Sequence, residues 1–193
     1  MPAGWYALRP PALAPSKRLR TWHSEARVKT TVQVRVNGQN RSVEVDTRTI
    51  VADMLREQLR LTSVHIGCTT GNCGACTVFL DGRTVKSCCV LAADVDGQEI
   101  LTVEGIENSP DELHLIQECF IENQGLQCGY CTPAMILSGL ALLRDNPAPT
   151  EEEIRHGIAG NLCRCTGYHF IVKSIQAAAA RTAQPSPARP AGP

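Results

Sequence analysis

The chain has 193 residues, 43% of them hydrophobic, with 19 basic and 19 acidic side chains and a formal net charge of zero. That length allows one domain or two small ones, and the even balance gives no global sign of a nucleic-acid partner. The longest apolar run, Ala134 to Leu143, has ten residues and includes Ser138 and Gly139, well short of the roughly 18 residues of a membrane span.

Residues 1–28 are rich in Pro, Ala and Arg and read as an unpacked tail. The first 29 residues hold six basic side chains against one acid, Glu25, so the remainder holds 13 basic and 18 acidic ones, a net of −5. That mild acidity suits a protein that docks on partners. Pro10, Pro11 and Pro15 break any secretory apolar core, so a cytoplasmic location is expected.

Val32, Val34 and Val36 alternate with polar residues, Asn37-Gly38 follows, and Val43 and Val45 resume the alternation. This predicts a β-hairpin, because Asn and Gly both tolerate positive φ. Ile50, Val51, Met54, Leu55 and Leu59 follow helical spacing. A loop dense in Cys and Gly spans 67–76. A second hairpin is expected from Thr77–Leu80 and Arg83–Ser87 across Asp81-Gly82, and a last strand over Glu99–Val103. Together they predict a small β-grasp sheet with one helix across it, over residues 29–106.

After Gly105 the signals become helical. Ser109-Pro110-Asp111-Glu112 has the form of a capping box with proline at the first helical position, Leu113, Ile116 and Phe120 give an apolar stripe, and Gly125 is a C-cap candidate. Thr132-Pro133 starts a second helix running to about Leu143 and stopped by Pro147. Thr150 to Glu153 is another capping box, with Gly160 expected to close its helix, and a fourth helix runs from about Tyr168 to Arg181. The expectation is an α+β chain, with a helical bundle over 107–181 and a tail over 182–193. Each half is small for a self-sufficient core, so inorganic staples would help both.

Ten cysteines without a visible export signal point to metal rather than to disulfides. Cys68-x4-Cys73-x2-Cys76, with Cys88 after eleven intervening residues, opens with the spacing of plant-type 2Fe–2S ferredoxins. Four thiolates leave such a cluster net negative, and burying it needs backbone N–H groups aimed at the sulfurs. Gly67, Gly71 and Gly74 allow that curl of the backbone. Cys89 could ligate in place of Cys88, but the spacing favours Cys88. The second set is Cys128-x2-Cys131 with Cys163-x-Cys165, flanking helix starts that favour negative groups. Structural zinc also uses paired cysteines, and for this second set alone it is a rival. Cys119 lies on an apolar stripe and reads as core. His65, His114, His156 and His169 read as structural or surface residues.

The stretches "GCTTGNCGACTVFLDGRTVKSC" and "LQCGYCTPAMILSGLALLRDNPAPTEEEIRHGIAGNLCRCTGY" resemble the small iron–sulfur subunit of the molybdenum hydroxylases, the xanthine oxidase and aldehyde oxidoreductase family. Within it, "LTSVHIGCTTGNCGACTV" is most similar to the small chain of the aerobic carbon monoxide dehydrogenase type. The resemblance covers about residues 30–180. It implies a plant-ferredoxin-like domain followed by a four-helix bundle. It implies that Cys68, Cys73, Cys76 and Cys88 bind an outer 2Fe–2S cluster, and that Cys128, Cys131, Cys163 and Cys165 bind an inner one. Gln127 matches a glutamine that hydrogen-bonds molybdopterin, and Cys165 matches a ligand that also touches the pterin. The implied partners are a large subunit carrying molybdenum on molybdopterin cytosine dinucleotide and a medium subunit carrying FAD, in a dimer of heterotrimers. Electrons would pass through this chain to FAD, and the chain alone would turn over no substrate. Ala134 and the pair His169-Phe170 depart from the Gly and Gln-Asn-like pair expected of close relatives, without removing a ligand.

Two other functions fit the cysteines: a stand-alone two-cluster electron carrier, and a zinc-stabilised interaction module. Metal analysis separates the last from the rest. The cluster readings predict a red-brown protein with about four irons per chain and labile sulfide; the zinc reading predicts a colourless one with two zinc ions.

Overall fold

The computed structural model describes residues 28–107 and 112–183. The first hairpin forms as expected: β1 (Lys29–Val36) pairs antiparallel with β2 (Gln39–Asp46). Asn37 and Gly38 take φ of 49° and 77° at its turn, the geometry that matches the strands' own twist. Val32, Val34, Val36, Val43 and Val45 all face the first core. The expected helix is short. It runs as α1 (Val51–Asp53) and continues π-wound over Met54–Gln58, where the Leu59 N–H reaches the Met54 carbonyl at 3.1 Å. Val51, Ala52, Met54 and Leu55 fill the space over the sheet.

β3 (Thr77–Leu80) and β4 (Arg83–Lys86) form the second hairpin, with Asp81 and Gly82 at positive φ. β5 (Glu99–Leu101) ends sooner than expected, because Val103–Gly105 turns into a short 3-10 helix. The sheet order is β2-β1-β5-β3-β4. β5 runs parallel to β1 and antiparallel to β3, so the five-stranded sheet is mixed.

Four main helices follow: α2 (Leu115–Glu122), α3 (Thr132–Asp145), α4 (Glu151–Gly157) and α5 (Tyr168–Thr182). The capping box at Thr150 and Glu153 forms reciprocally. The box expected at Ser109 does not start α2. Residues 108–111 lie outside the described ones, and Glu112 to His114 are not helical. His114 caps α2 instead: its N–H donates to Gln117 Oε1 at 2.8 Å, and its Nδ1 accepts from the Ile116 N–H at 3.3 Å. Burial lowers the pKa of His114, which keeps the ring a neutral acceptor. Gly125 is not the left-handed cap either. Gln124 takes the positive φ, and Gly125 is required because a Cβ there would meet Ser174 Oγ at 2.4 Å. α4 ends at Gly157, before the expected Gly160.

The two halves share the sheet. Val78 and Ile100 face the first core, whereas Phe79 and Ile106 face the second, with Ile116, Phe120, Met135, Leu137, Ile171 and Ile175. Arg144 of α3 lies over the Phe79 ring at 5.4 Å and donates to the Gly82 carbonyl at 2.7 Å. Among the described residues, no helix is long and apolar enough to cross a membrane.

Glu104 ties the end of the sheet to the loop before the first cysteines. Its carboxylate accepts from the Ser63 N–H at 3.0 Å, from the Ser63 hydroxyl, and from Thr102 Oγ1 at 2.5 Å. Burial pushes its pKa up, but these bonds together bring it below the usual carboxylate range. A carboxylate depressed in this way stabilises the fold above its unfolded pKa, and the contribution is lost as pH falls through the folded value. Glu104→Gln should therefore lower the urea midpoint at neutral pH, and its deficit relative to the wild type should shrink as pH falls through the carboxylate range. Parallel denaturation curves at several pH values check this.

Candidate metal centres

The first cysteine loop curls so that its backbone faces its own sulfurs. The Cys73 N–H lies 3.4 Å from Cys68 Sγ. The N–H groups of Cys73 and Thr70 hold the Cys68 thiol down to about 6. Gly74 takes φ of +71°. Cys76 leads into β3 and Cys88 sits just past β4, so the hairpin brings them together. Burial, and then the adjacent Cys76 thiol, push Cys88 up to about 12. Cys89 is exposed, with its sulfur 3.7 Å from that of Cys88. It lies toward Gly71, where a Cβ would come within 2.8 Å of it.

The second set assembles from two connections. Cys131 is the N-cap of α3, and Gly167 is the N-cap of α5. The Tyr130 N–H, and then the Cys165 thiol, lower the pKa of Cys128. Burial, and then the Cys163 thiol, push Cys131 up to about 12. The Gly167 N–H points at Cys163 Sγ, 3.4 Å away.

Within each set the thiols feel one another: Cys68 with Cys73, Cys76 with Cys88, Cys128 with Cys165, and Cys131 with Cys163, while Cys131 also feels Cys128 and Cys165 also feels Cys163. Among the described residues, no three Cys, His, Asp or Glu side chains converge as a single-ion site. Tetrahedral zinc needs four donors around one point. A two-iron cluster takes two thiolates on each iron. Paired thiols with N–H groups aimed at sulfur fit the second arrangement. Cys119 joins neither set. It is fully buried in the helical core, and burial raises its pKa.

The two loops are joined directly. The Leu162 N–H donates to the Cys73 carbonyl at 2.8 Å. Buried Asn161 donates to the Gly74 carbonyl at 2.9 Å and to Thr77 Oγ1 at 3.2 Å, and accepts from Ser138 Oγ at 2.9 Å. On the other side, His65 stacks on Tyr130 with ring centroids 4.4 Å apart, and its Nδ1 lies 2.8 Å from the Tyr130 carbonyl. The Tyr130 hydroxyl donates to the Ile66 carbonyl at 2.9 Å. Asn161, Tyr130 and Lys86 carry no spacing signal, and sequence reasoning passed over them. Their partners are carbonyls, hydroxyls and, for Tyr130, the His65 ring, brought close only by the fold. Gln127 is exposed at the second set, and a Cβ on Gly167 would lie 3.4 Å from its Nε2 and 3.8 Å from Cys163 Sγ.

Comparison with known proteins identifies both halves as 2Fe–2S binding domains. Residues 34–103 match the family described as a 2Fe-2S iron-sulfur cluster binding domain, and residues 102–176 match a second, the 2Fe-2S binding domain. The chain is 46% identical over 155 residues to the nicotinate dehydrogenase small FeS subunit of Eubacterium barkeri, covering 80% of this chain and 98% of that one. It is 43% identical over 161 residues to the aldehyde oxidoreductase iron-sulfur-binding subunit of Escherichia coli, covering 76% and 70%. The crystal structure of quinoline 2-oxidoreductase from Pseudomonas putida 86 contains a chain with a TM-score of 0.77 and 40% identity, covering 80% of this chain and 98% of that one.

Gly74 is the tightest point between the loops, because a Cβ there would come within 2.2 Å of the Gly160 carbonyl. Gly74→Ala adds that clash to a strained φ, and should cost at least about 1–3 kcal/mol. The expected outcome is a lower unfolding midpoint together with fewer irons per chain, measured by thermal denaturation and iron assay.

Proposed function

The chain belongs to the family of small 2Fe–2S subunits of the molybdenum hydroxylases, of xanthine dehydrogenase and aldehyde oxidoreductase type, and is a two-cluster electron-transfer subunit; on that premise we propose how its residues do this work. Cys68, Cys73, Cys76 and Cys88 hold the outer cluster, and Cys128, Cys131, Cys163 and Cys165 hold the inner one. Bound there, the clusters supply one-electron redox chemistry. The protein orders the two sites, aims N–H groups at sulfur and keeps the loops at a fixed separation. We read the halves, 29–106 and 107–181, as the β-grasp domain and four-helix bundle that the resemblance implies.

The observation that carries the reading is the pairing of eight thiols into two sets on loops bonded to each other. Exposed apolar residues also flank the second set along the chain: Leu126 is 44% exposed, Leu162 56% and Phe170 41%. Scattered exposed apolar residues are ordinary, but a group around a redox site suits a partner's surface. That partner is the molybdenum subunit. Gln127 and Cys165 face its molybdopterin, in the cytosine dinucleotide form, and the medium subunit carries FAD. The assembly is a dimer of heterotrimers in the cytoplasm. A stand-alone carrier has no use for an exposed Gln127 beside an apolar rim, and paired thiols do not suit the zinc module.

The relatives are named for nicotinate, aldehyde and quinoline chemistry. Similar small chains therefore serve different substrates, and substrate choice belongs to the molybdenum subunit. Carbon monoxide enters the range only through the likeness of the 61–78 loop.

Anaerobic capture of the tagged chain from its native cells tests the assembly. Two larger proteins, molybdenum, FAD and about four irons per chain are expected; the same iron with neither partner nor molybdenum would favour the free carrier. In the same experiment Leu162→Asp should release the molybdenum subunit while the iron content holds.

A further inference from the structure

We propose that the Lys86 ammonium is a shared electrostatic tuner that holds up the reduction potentials of both metal centres. The inference rests on the two-cluster reading above. Lys86 ends β4, two residues before Cys88, and its Nζ lies in the seam between the two cysteine loops. It donates to Thr77 Oγ1 at 3.0 Å and to the Gly160 carbonyl at 2.8 Å. Thr77 follows Cys76, and Gly160 lies three residues before Cys163. A Cβ on Gly74, between Cys73 and Cys76, would come within 2.8 Å of Nζ, and one on Gly160 within 3.3 Å. The ammonium therefore bonds the Thr77 hydroxyl beside the first loop and the Gly160 carbonyl of the second.

Its charge is not compensated locally. Both acceptors are neutral, and none of the ion pairs among the described residues includes Lys86. The cleft beside it, about 350 Å³, is lined by Thr84, Ser138 and Asp145 among others. Asp145, the acid of that cleft, pairs with Arg144 at 3.6 Å. A half-buried cation thus stands between two sites that each gather four thiols. Every electron taken up makes a thiolate-held site more negative, so a nearby fixed cation stabilises the reduced form more than the oxidised one. Placed between two such sites, it acts on both and offsets their mutual repulsion.

Redox titration of the complete complex, followed by electron paramagnetic resonance of the two centres, tests this. In Lys86→Gln both midpoint potentials should fall, and Lys86→Arg should bring both back toward wild type. Thr84→Glu, an exposed change on the same cleft, should lower both at low ionic strength by pairing with Lys86, with a shift that shrinks as salt rises. The Thr84 variant decides the matter if Lys86→Gln does not load. Two centres present with unmoved midpoints overturn the proposal. So does a shift confined to one centre, or an Arg variant displaced as far as the Gln variant, which would mark geometry rather than charge. Failure of the two-cluster reading looks different: the wild-type complex would then lack two iron–sulfur signals.

Discussion

The contact on which the architecture depends is the seam between residues 73–77 and 160–162. One main-chain bond, Leu162 N–H to the Cys73 carbonyl, sets the distance between the two cysteine loops. Asn161 then holds the seam shut from inside, because its buried amide is satisfied only when Gly74, Thr77 and Ser138 are all in place. A buried amide left unpaired costs about 1–3 kcal/mol. Closing the seam in turn demands glycine at 74. Two sites far apart along the chain are thereby held as one rigid unit, as electron transfer requires.

The sheet makes the same union from below. Strand β3 is buried on both faces: Val78 points to the valine-rich core under α1, and Phe79 to the helices. α3 therefore packs against the sheet of the first half. The stacked His65 and Tyr130 close the opposite side of the loops. Packing, hydrogen bonding and a ring stack together tie the halves to each other at the cysteines.

Much of this was legible beforehand. The hairpin turns at Asn37-Gly38 and Asp81-Gly82, the capping box at Thr150, and the start of α3 at Thr132-Pro133 are local signals, and local signals survive folding. The cysteine spacings were legible too, and the 2Fe–2S family of both halves agrees with them. What failed was decided by tertiary contact. α2 starts at Leu115 because the half-buried His114 ring caps it, although Ser109 offered the better local box. Gly125 looked like a cap but is kept small by Ser174 from another helix. The run Thr77–Leu80 reads as an ordinary strand, and nothing in it says that its two faces serve different domains. Lys86 and Asn161 are unremarkable until the fold brings carbonyls to them.

The two-faced strand has a consequence for how the chain is made. The first half leaves the ribosome with the Phe79, Leu101 and Ile106 side of its sheet uncovered, since the helices that cover it lie later in the chain. At about 5–20 residues per second, that apolar face waits several seconds or more for α2 to α5. Iron delivered in that interval would find the first thiol loop without the seam that braces it. The order of synthesis thus favours insertion of metal after the whole chain has closed, and assigns the nascent first half to whatever shields exposed sheets in the cell.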